Sequence, residues 1–233
     1  MSDQPTHDRP SHRREPRDRA IVGAVVLAVC SALLLALVAA RWRPLMDLDG
    51  AVARGAHGPA VRDHALTHAL RVLSDWVWDP LTMRLLCVVA VVWLVWRRSM
   101  WWTAMWLATT VAVSAVVQQA LKAAVGRPRP HWSDPVAVAR YAAFPSGHAM
   151  TATVVCGLLL WLLHRYGAAR PVRRTALAVA VVSVLGVGLT RVWLGVHWLS
   201  DVVGGWLLGA LLVAVAVAVL EGRTRTGARS PRR

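Results

Sequence analysis

Three short stretches carry residue types that could act together on an anion. Phe144-Pro145-Ser146-Gly147-His148 stands at the foot of an apolar run that continues to Leu163. A proline, a small hydroxyl and a glycine opening a helix suit an anion. Ser146 is placed to cap the helix, the first backbone N–H groups lack internal partners, and the helix dipole favours negative charge there. His148 falls one turn in. Upstream lies Lys122-Ala123-Ala124-Val125-Gly126-Arg127-Pro128-Arg129-Pro130, where two prolines cannot continue a helix and a stiff turn projects cations. Downstream lies Thr190-Arg191-Val192-Trp193-Leu194-Gly195-Val196-His197-Trp198-Leu199-Ser200-Asp201. His197 and Asp201 are four apart and can meet on one helix face.

The chemistry of the three stretches is complementary. A carboxylate on one ring nitrogen of His197 fixes its tautomer and leaves the other nitrogen as nucleophile or base. Three cations from the outer two stretches, with a helix N-terminus, would neutralise a dianionic phosphoryl group, the histidine–carboxylate pair would attack it, and a second histidine would protonate the departing oxygen. Phosphoryl transfer asks mainly for positioning and charge neutralisation. No carboxylate cluster suggests Mg²⁺, so no metal or other cofactor is expected. Taken singly, each stretch also has an ordinary reading: a snorkelling lysine before a basic loop, an N-cap with an interfacial histidine, a structural His–Asp pair. Together they point to one site.

The elements that must position these groups are membrane spans. The chain of 233 residues is 56% hydrophobic and strongly basic, at +15. Such a charge can signal nucleic acid, but here the basic residues sit at the two ends and in short loops between apolar runs, so no nucleic-acid partner is expected. A span needs about 20 mostly apolar residues. The pattern predicts an all-α bundle of six spans: Ala20–Ala40, Leu81–Trp96, Met100–Leu121, Gly147–Leu163, Thr175–Leu189 and Val202–Leu220. Short amphipathic helices are expected in 41–79, where Leu66, Leu70, Leu73 and Val77 recur at helical spacing. Residues 1–19 read as a disordered cytoplasmic tail, 20–221 as one membrane domain, and 222–233 as a basic cytoplasmic tail. Val38-Ala39-Ala40 resembles a signal-peptide cleavage site, but the run before it is longer than a signal core, and an uncleaved span is expected.

Six spans put both termini on one side. That side holds 16 of the 27 lysines and arginines, which makes it cytoplasmic and places the three motif stretches on the extracytoplasmic face of a bacterial plasma membrane. Thirteen tryptophans accompany one phenylalanine. Trp42, Trp76, Trp78, Trp93, Trp96, Trp101, Trp102, Trp193 and Trp198 lie near span ends and read as an interfacial belt. Cys30, Cys87 and Cys156 fall in separate apolar runs and read as buried apolar side chains. Gly205 and Gly209 would permit close helix approach.

At these residues the sequence resembles the type 2 phosphatidic acid phosphatase superfamily of membrane enzymes. That family's pattern is Lys, six residues, Arg-Pro; then Pro-Ser-Gly-His; then Ser-Arg, five residues, His, three residues, Asp. Lys122 with Arg129-Pro130, Pro145 to His148, and Arg191, His197 and Asp201 match it in order, with Thr190 replacing the usual serine. The resemblance implies that His197 is the nucleophile, forming a phosphohistidine, with Asp201 orienting it and His148 serving as general acid. It further implies that Lys122, Arg129, Arg191, the Ser146 hydroxyl and the Gly147 backbone hold the phosphoryl oxygens. Arg127 and Thr190 are accessory, Arg127 as a contact to a second phosphate. His131, Asp134 and Arg140 share the loop and are further candidates for substrate contact.

The expected partners are therefore the bilayer and a membrane lipid phosphate or diphosphate: a polyprenyl diphosphate, a polyprenyl phosphosugar phosphate, phosphatidylglycerophosphate or phosphatidic acid. Other readings stand beside hydrolysis. The same cations would serve a transporter that binds a phospholipid headgroup, a transferase would pass the phosphoryl group to an acceptor alcohol, and vanadate-dependent haloperoxidases of the wider superfamily bind vanadate in a similar site.

Overall fold

The computed structural model describes residues 15–227, and every regular element in that range is a helix. Helix α1 spans Glu15–Ala39, α2 Arg43–Arg62, α3 His64–Val72, α4 Pro80–Arg98, α5 Trp101–Val125, α6 Gly147–Arg165, α7 Arg170–Trp193 and α8 Leu199–Gly227, with a π-helical turn at Leu73–Val77. Six helical stretches are long and apolar enough to cross a membrane, and the chain is an integral membrane protein. Of the stretch read as an N-terminal tail, residues 1–14 lie outside the described residues, whereas Glu15 already opens α1. The C-terminal stretch is likewise helical as far as Gly227, and 228–233 lie outside the described residues.

Local chemistry sets several boundaries. Asp79 caps α4, its carboxylate accepting from the N–H of Leu81 at 2.8 Å, and Pro80 follows at the first helical position, where its missing N–H is harmless. Gly126 ends α5 in the left-handed region, at φ 57°, as a C-terminal cap requires. In the segment 41–79, α3 is a short helix as expected, and α2 is longer than expected. α2 is a continuous 20-residue helix that passes through Gly50, Gly55, Gly58 and Pro59. α3 continues through the π-turn towards α4, so that His64–Arg98 forms one nearly unbroken apolar stretch.

α6 sits at the centre and packs on α8, α7, α4 and α5, while α1 packs on α8. The α6–α8 seam is close because two glycines of α8 allow it. A Cβ at Gly205 would lie 2.8 Å from the Ser146 carbonyl oxygen, and one at Gly209 would lie 2.8 Å from Thr153. Against its other neighbours α6 joins two apolar clusters, one of Trp78, Met83, Cys87, Ala152, Val155 and Val187 and another of Leu94, Ala104, Leu107 and Leu162. Apolar side chains outside the clusters, such as Val22, Val29, Val89, Val116 and Val182, face outward as lipid contacts do. The tryptophans divide between two roles. Trp76, Trp96, Trp101 and Trp102 are exposed as a belt requires, but Trp78 is core, and Trp193 and Trp198 donate hydrogen bonds to Thr67 and to the Pro128 carbonyl. Cys87 is buried and Cys156 half-buried, whereas Cys30 is exposed on α1.

The topology brings the C-terminal ends of α1, α5 and α7 and the N-terminal ends of α4, α6 and α8 to the same end of the bundle. All three motif stretches lie there.

Candidate active site at one end of the bundle

The third motif fixes the centre. α7 ends at Trp193, and the chain turns through Gly195, at φ 66°, before α8 begins at Leu199. A Cβ at Gly195 would meet the Trp132 ring nitrogen at 2.5 Å, so only glycine fits this bend. The bend delivers His197, which is fully buried, with Nδ1 3.3 Å from Asp201 Oδ2 and Nε2 3.1 Å from Arg129 Nη1. An arginine only donates, so Nε2 is the acceptor and Nδ1 carries the hydrogen that Asp201 receives. The backbone N–H of Trp198 donates to the same Asp201 oxygen at 2.9 Å. Burial, then the charges of Arg129, Arg191 and Lys122, hold the His197 pKa well below the ordinary histidine range, so the ring is neutral.

The cations of the first motif are aimed by the chain just before the second. The backbone carbonyl of Ala142 accepts from Lys122 Nζ, and those of Tyr141 and Arg140 accept from Arg129 at 2.9 and 3.2 Å. Arg129 also donates to the Val196 carbonyl. Arg191, on the last turn of α7, is buried and donates to Ser74 Oγ at 2.9 Å from inside the π-turn, with Asp75 3.9 Å away. Burial lowers the pKa of Arg129, which Asp201 partly offsets.

The second motif joins the same centre. The N–H of Ser146 donates to the Asp201 carbonyl oxygen at 3.0 Å, linking the first turns of α6 and α8. Ser146 occupies the N-cap position, but its hydroxyl makes no capping bond; it is fully buried, with its oxygen lacking a protein partner. The capping role expected for this side chain is thus not the one it plays. Gly147 lies close to α5: a Cβ there would lie 2.7 Å from Nε2 of the Gln118 side chain. His148 is half-buried and within electrostatic range of Arg191, His197, Arg129 and Lys122. The groups of all three motifs thus converge.

The two expected accessories, Arg127 and Thr190, are both buried. Arg127 is buried with its guanidinium between two carboxylates, Nη1 on Asp201 Oδ1 at 2.6 Å and Nη2 on Asp49 Oδ2 at 2.7 Å. Both terminal nitrogens of the guanidinium are thus engaged by carboxylates. Thr190 is buried on α7 next to Arg191. In the loop, Asp134 accepts from His57 on α2 at 2.9 Å, and that hydrogen bond holds its carboxyl below the usual range. His57 in turn stacks on Trp132 at 3.8 Å, while His131 and Arg140 are exposed. Sequence reasoning missed Asp49, Ser200 and Ser74. The available signal was a buried stripe on α2, Asp49-Ala53-His57-Ala60, in which small residues at helical spacing share one face with a carboxylate and an imidazole.

The family follows from the same region of the chain. The sequence model of the PAP2 superfamily matches residues 103–225, more than half of the chain and all three motifs. The chain belongs to the PAP2 superfamily. Within that superfamily it is 32% identical over 113 residues to phosphatidylglycerophosphatase B of Bacillus subtilis, covering 48% of this chain and 55% of the relative. It is 33% identical over 129 residues to a lipid A 1-phosphatase of Rhizobium etli, covering 50% and 51%. A decaprenylphosphoryl-5-phosphoribose phosphatase of Mycobacterium tuberculosis is 40% identical over 86 residues, covering 37% and 42%. The chain thus spans about half the length of the curated relatives it matches. The PAP2 fold extends further than these alignments: the crystal structure of a transmembrane PAP2-type phosphatidylglycerolphosphate phosphatase from Bacillus subtilis superposes with a TM-score of 0.76 at 24% identity, covering 85% of this chain and 96% of that one.

Proposed function

We propose that the chain is a lipid phosphatase that hydrolyses a lipid phosphate or diphosphate through a phosphohistidine, without a metal. The observation that carries this reading is the pair of partners on His197: Asp201 on Nδ1 and a cation, Arg129, on Nε2. A structural His–Asp pair has no use for a cation on the second nitrogen. A nucleophile that must meet an anion does.

In the first step the Nε2 lone pair forms a bond to phosphorus, the P–O bond on the lipid side (ester in a monophosphate, anhydride in a diphosphate) breaks, and its electron pair leaves on that oxygen, which takes a proton from His148. Lys122, Arg129 and Arg191 neutralise the phosphoryl oxygens, and the Ser146 hydroxyl and first N–H groups of α6 donate to them. The ring becomes positive as the N–P bond forms, and Asp201 offsets that charge. In the second step water gives a proton to His148 and attacks phosphorus, the N–P bond breaks, and inorganic phosphate leaves. The guanidinium and ammonium groups supply the charge that Mg²⁺ supplies elsewhere.

A lipid substrate is supported by location, because the site lies at the mouth of a membrane bundle where a headgroup can enter while its tails remain in the bilayer. The named activities of the relatives, all on lipid-linked phosphates, support the same class. The excess of arginine that the sequence carries in its terminal segments and in the 97–98 and 164–174 connections supports an extracytoplasmic site with both termini cytoplasmic. The test is phosphate release by purified protein from phosphatidylglycerophosphate, phosphatidic acid and undecaprenyl diphosphate, each with EDTA present. Release that persists in EDTA and disappears in His197→Ala supports the reading. Release that survives that substitution, or that requires a divalent metal, overturns it.

A further inference from the structure

We propose that Asp49 and Arg127 are positioning residues for phosphoryl transfer, Asp49 fixing Arg127 and Arg127 fixing the Asp201 carboxylate that sets the tautomer and angle of His197. The proposal rests on His197 being the nucleophile. Its basis is a chain of buried polar contacts that runs from α2 to the reacting nitrogen. Asp49 Oδ1 accepts from the Ser200 backbone N–H at 2.9 Å, and its Oδ2 accepts from both the Ser200 hydroxyl and Arg127 Nη2. Arg127 Nη1 donates to Ser200 Oγ at 2.7 Å and to Asp201 Oδ1 at 2.6 Å. Asp201 Oδ2 is left for Trp198 N–H and His197. Both oxygens of each carboxylate are thus engaged, and neither side chain can turn without breaking two contacts.

Burial makes this more than a surface ion pair. Asp49 is 1% exposed, Arg127 7% and Asp201 0%. A guanidinium needs only one carboxylate to be neutralised, and a second buried carboxylate is costly unless its charge has a use. Two carboxylates and one guanidinium leave this group with one net negative charge, carried to the Nδ1 side of His197. Arg129 offsets part of that charge in the resting site, and the ring adds a positive charge directly beside Asp201 while the N–P bond forms. The substrate-binding cations Arg129, Lys122 and Arg191 have their own supports in the 140–142 carbonyls and the π-turn, apart from this network. Loss of Asp49 should therefore weaken the transition state and leave substrate binding intact.

The experiment uses the full chain in detergent micelles, with dioctanoyl phosphatidic acid, phosphatidylglycerophosphate and undecaprenyl diphosphate as substrates. Asp49→Asn keeps the shape and removes the charge. The expected result is a fall in kcat of about 10- to 100-fold, the range typical of outer partners that orient a working histidine, with KM within about twofold of wild type. Asp49→Asn combined with Asp201→Asn should lose no more than Asp201→Asn alone, since the first acts through the second. Unchanged kcat, a loss confined to KM, or losses that multiply in the double variant would overturn the proposal. Should Asp49→Asn not yield monodisperse protein, Ser200→Ala takes its place, leaving every charge and removing only the bridging hydroxyl. A severalfold drop in kcat at unchanged KM supports the proposal, and wild-type kcat overturns it. If the wild-type protein releases no phosphate from any of the three substrates, the phosphatase reading itself falls and the proposal with it. An active wild type beside an equally active Asp49→Asn removes the proposal alone.

Discussion

Arg129 Nη1 stands 3.1 Å from His197 Nε2, so a cation from the loop after α5 and an imidazole from the α7–α8 bend meet without an intermediary. The contact assigns the free lone pair to Nε2 and sets Arg129 where a phosphoryl oxygen would approach that atom. Arg129→Ala should lower kcat by about 100- to 1,000-fold, as removal of a single preorganised donor does at comparable sites. Arg129→Lys should recover little, because a lysine cannot span the Tyr141, Arg140 and Val196 carbonyls at once. Steady-state phosphate release by the two variants checks both statements, and full activity in the lysine variant would remove the forked geometry from the account.

Acid should destabilise the fold through His197. The folded pKa is held well below the ordinary histidine value by burial and by Arg129, Arg191 and Lys122, while the unfolded chain titrates at about 6.5. Between those two values the unfolded state binds a proton that the folded state does not. The stability contributed by the neutral ring is therefore fully present above about pH 6.5 and declines as pH falls below it, by up to about 1.4 kcal/mol per pH unit. Thermal midpoints in detergent at pH 7.5 and pH 5 should drop further for wild type than for His197→Gln. Parallel pH curves for the two proteins would refute this assignment.

Gly195 should tolerate no side chain. Its φ of 66° disfavours any other residue, and an added Cβ would strike Trp132, whose ring nitrogen donates to the Gly195 carbonyl at 3.0 Å. Gly195→Ala should cost about 1–3 kcal/mol of stability and reduce turnover as well, because the same bend aims His197. A thermal melt and a turnover assay on one preparation would show both losses; a variant that melts and turns over like wild type would contradict the bend's role.

Gly205→Val should be worse than an ordinary overpacked core site. The added Cβ would lie 2.8 Å from the Ser146 carbonyl oxygen, which is backbone and cannot rotate away. Parting α8 from α6 should cost at least about 1–3 kcal/mol and also disturb the Ser146–Asp201 link between their first turns. Size-exclusion profile and melting temperature report the outcome, and a well-folded, fully active variant would contradict the close seam.

Much of this site was legible because its chemistry is local in the sequence. Lys122 to Arg129, Pro145 to His148 and Arg191 to Asp201 carry their spacing on their face, and alternation of spans brings them to one end. Asp49 was not legible, since its partners Arg127 and Ser200 lie 78 and 151 residues away. An aspartate on a charged, glycine-rich segment reads as solvated surface until a neighbour buries it. The length of α2 was hidden for a related reason: Gly50, Gly55, Gly58 and Pro59 weaken a helix in isolation, and packing against α7 and α8 overrides that local preference. In the sequence Trp78 reads as an interfacial anchor because it lies near a span end, beside Trp76. Trp76 lies inside the π-turn and Trp78 directly after it, and the first ring is exposed while the second enters the core.

The most direct measurement is the covalent intermediate itself. Purified protein mixed briefly with a lipid phosphate labelled in its phosphoryl group, then quenched in alkali, should retain label that acid releases, on a peptide containing His197. Asp201→Asn should form that species more slowly, and His197→Gln should not form it. Label found on another residue, or turnover that continues in His197→Gln, would contradict the account.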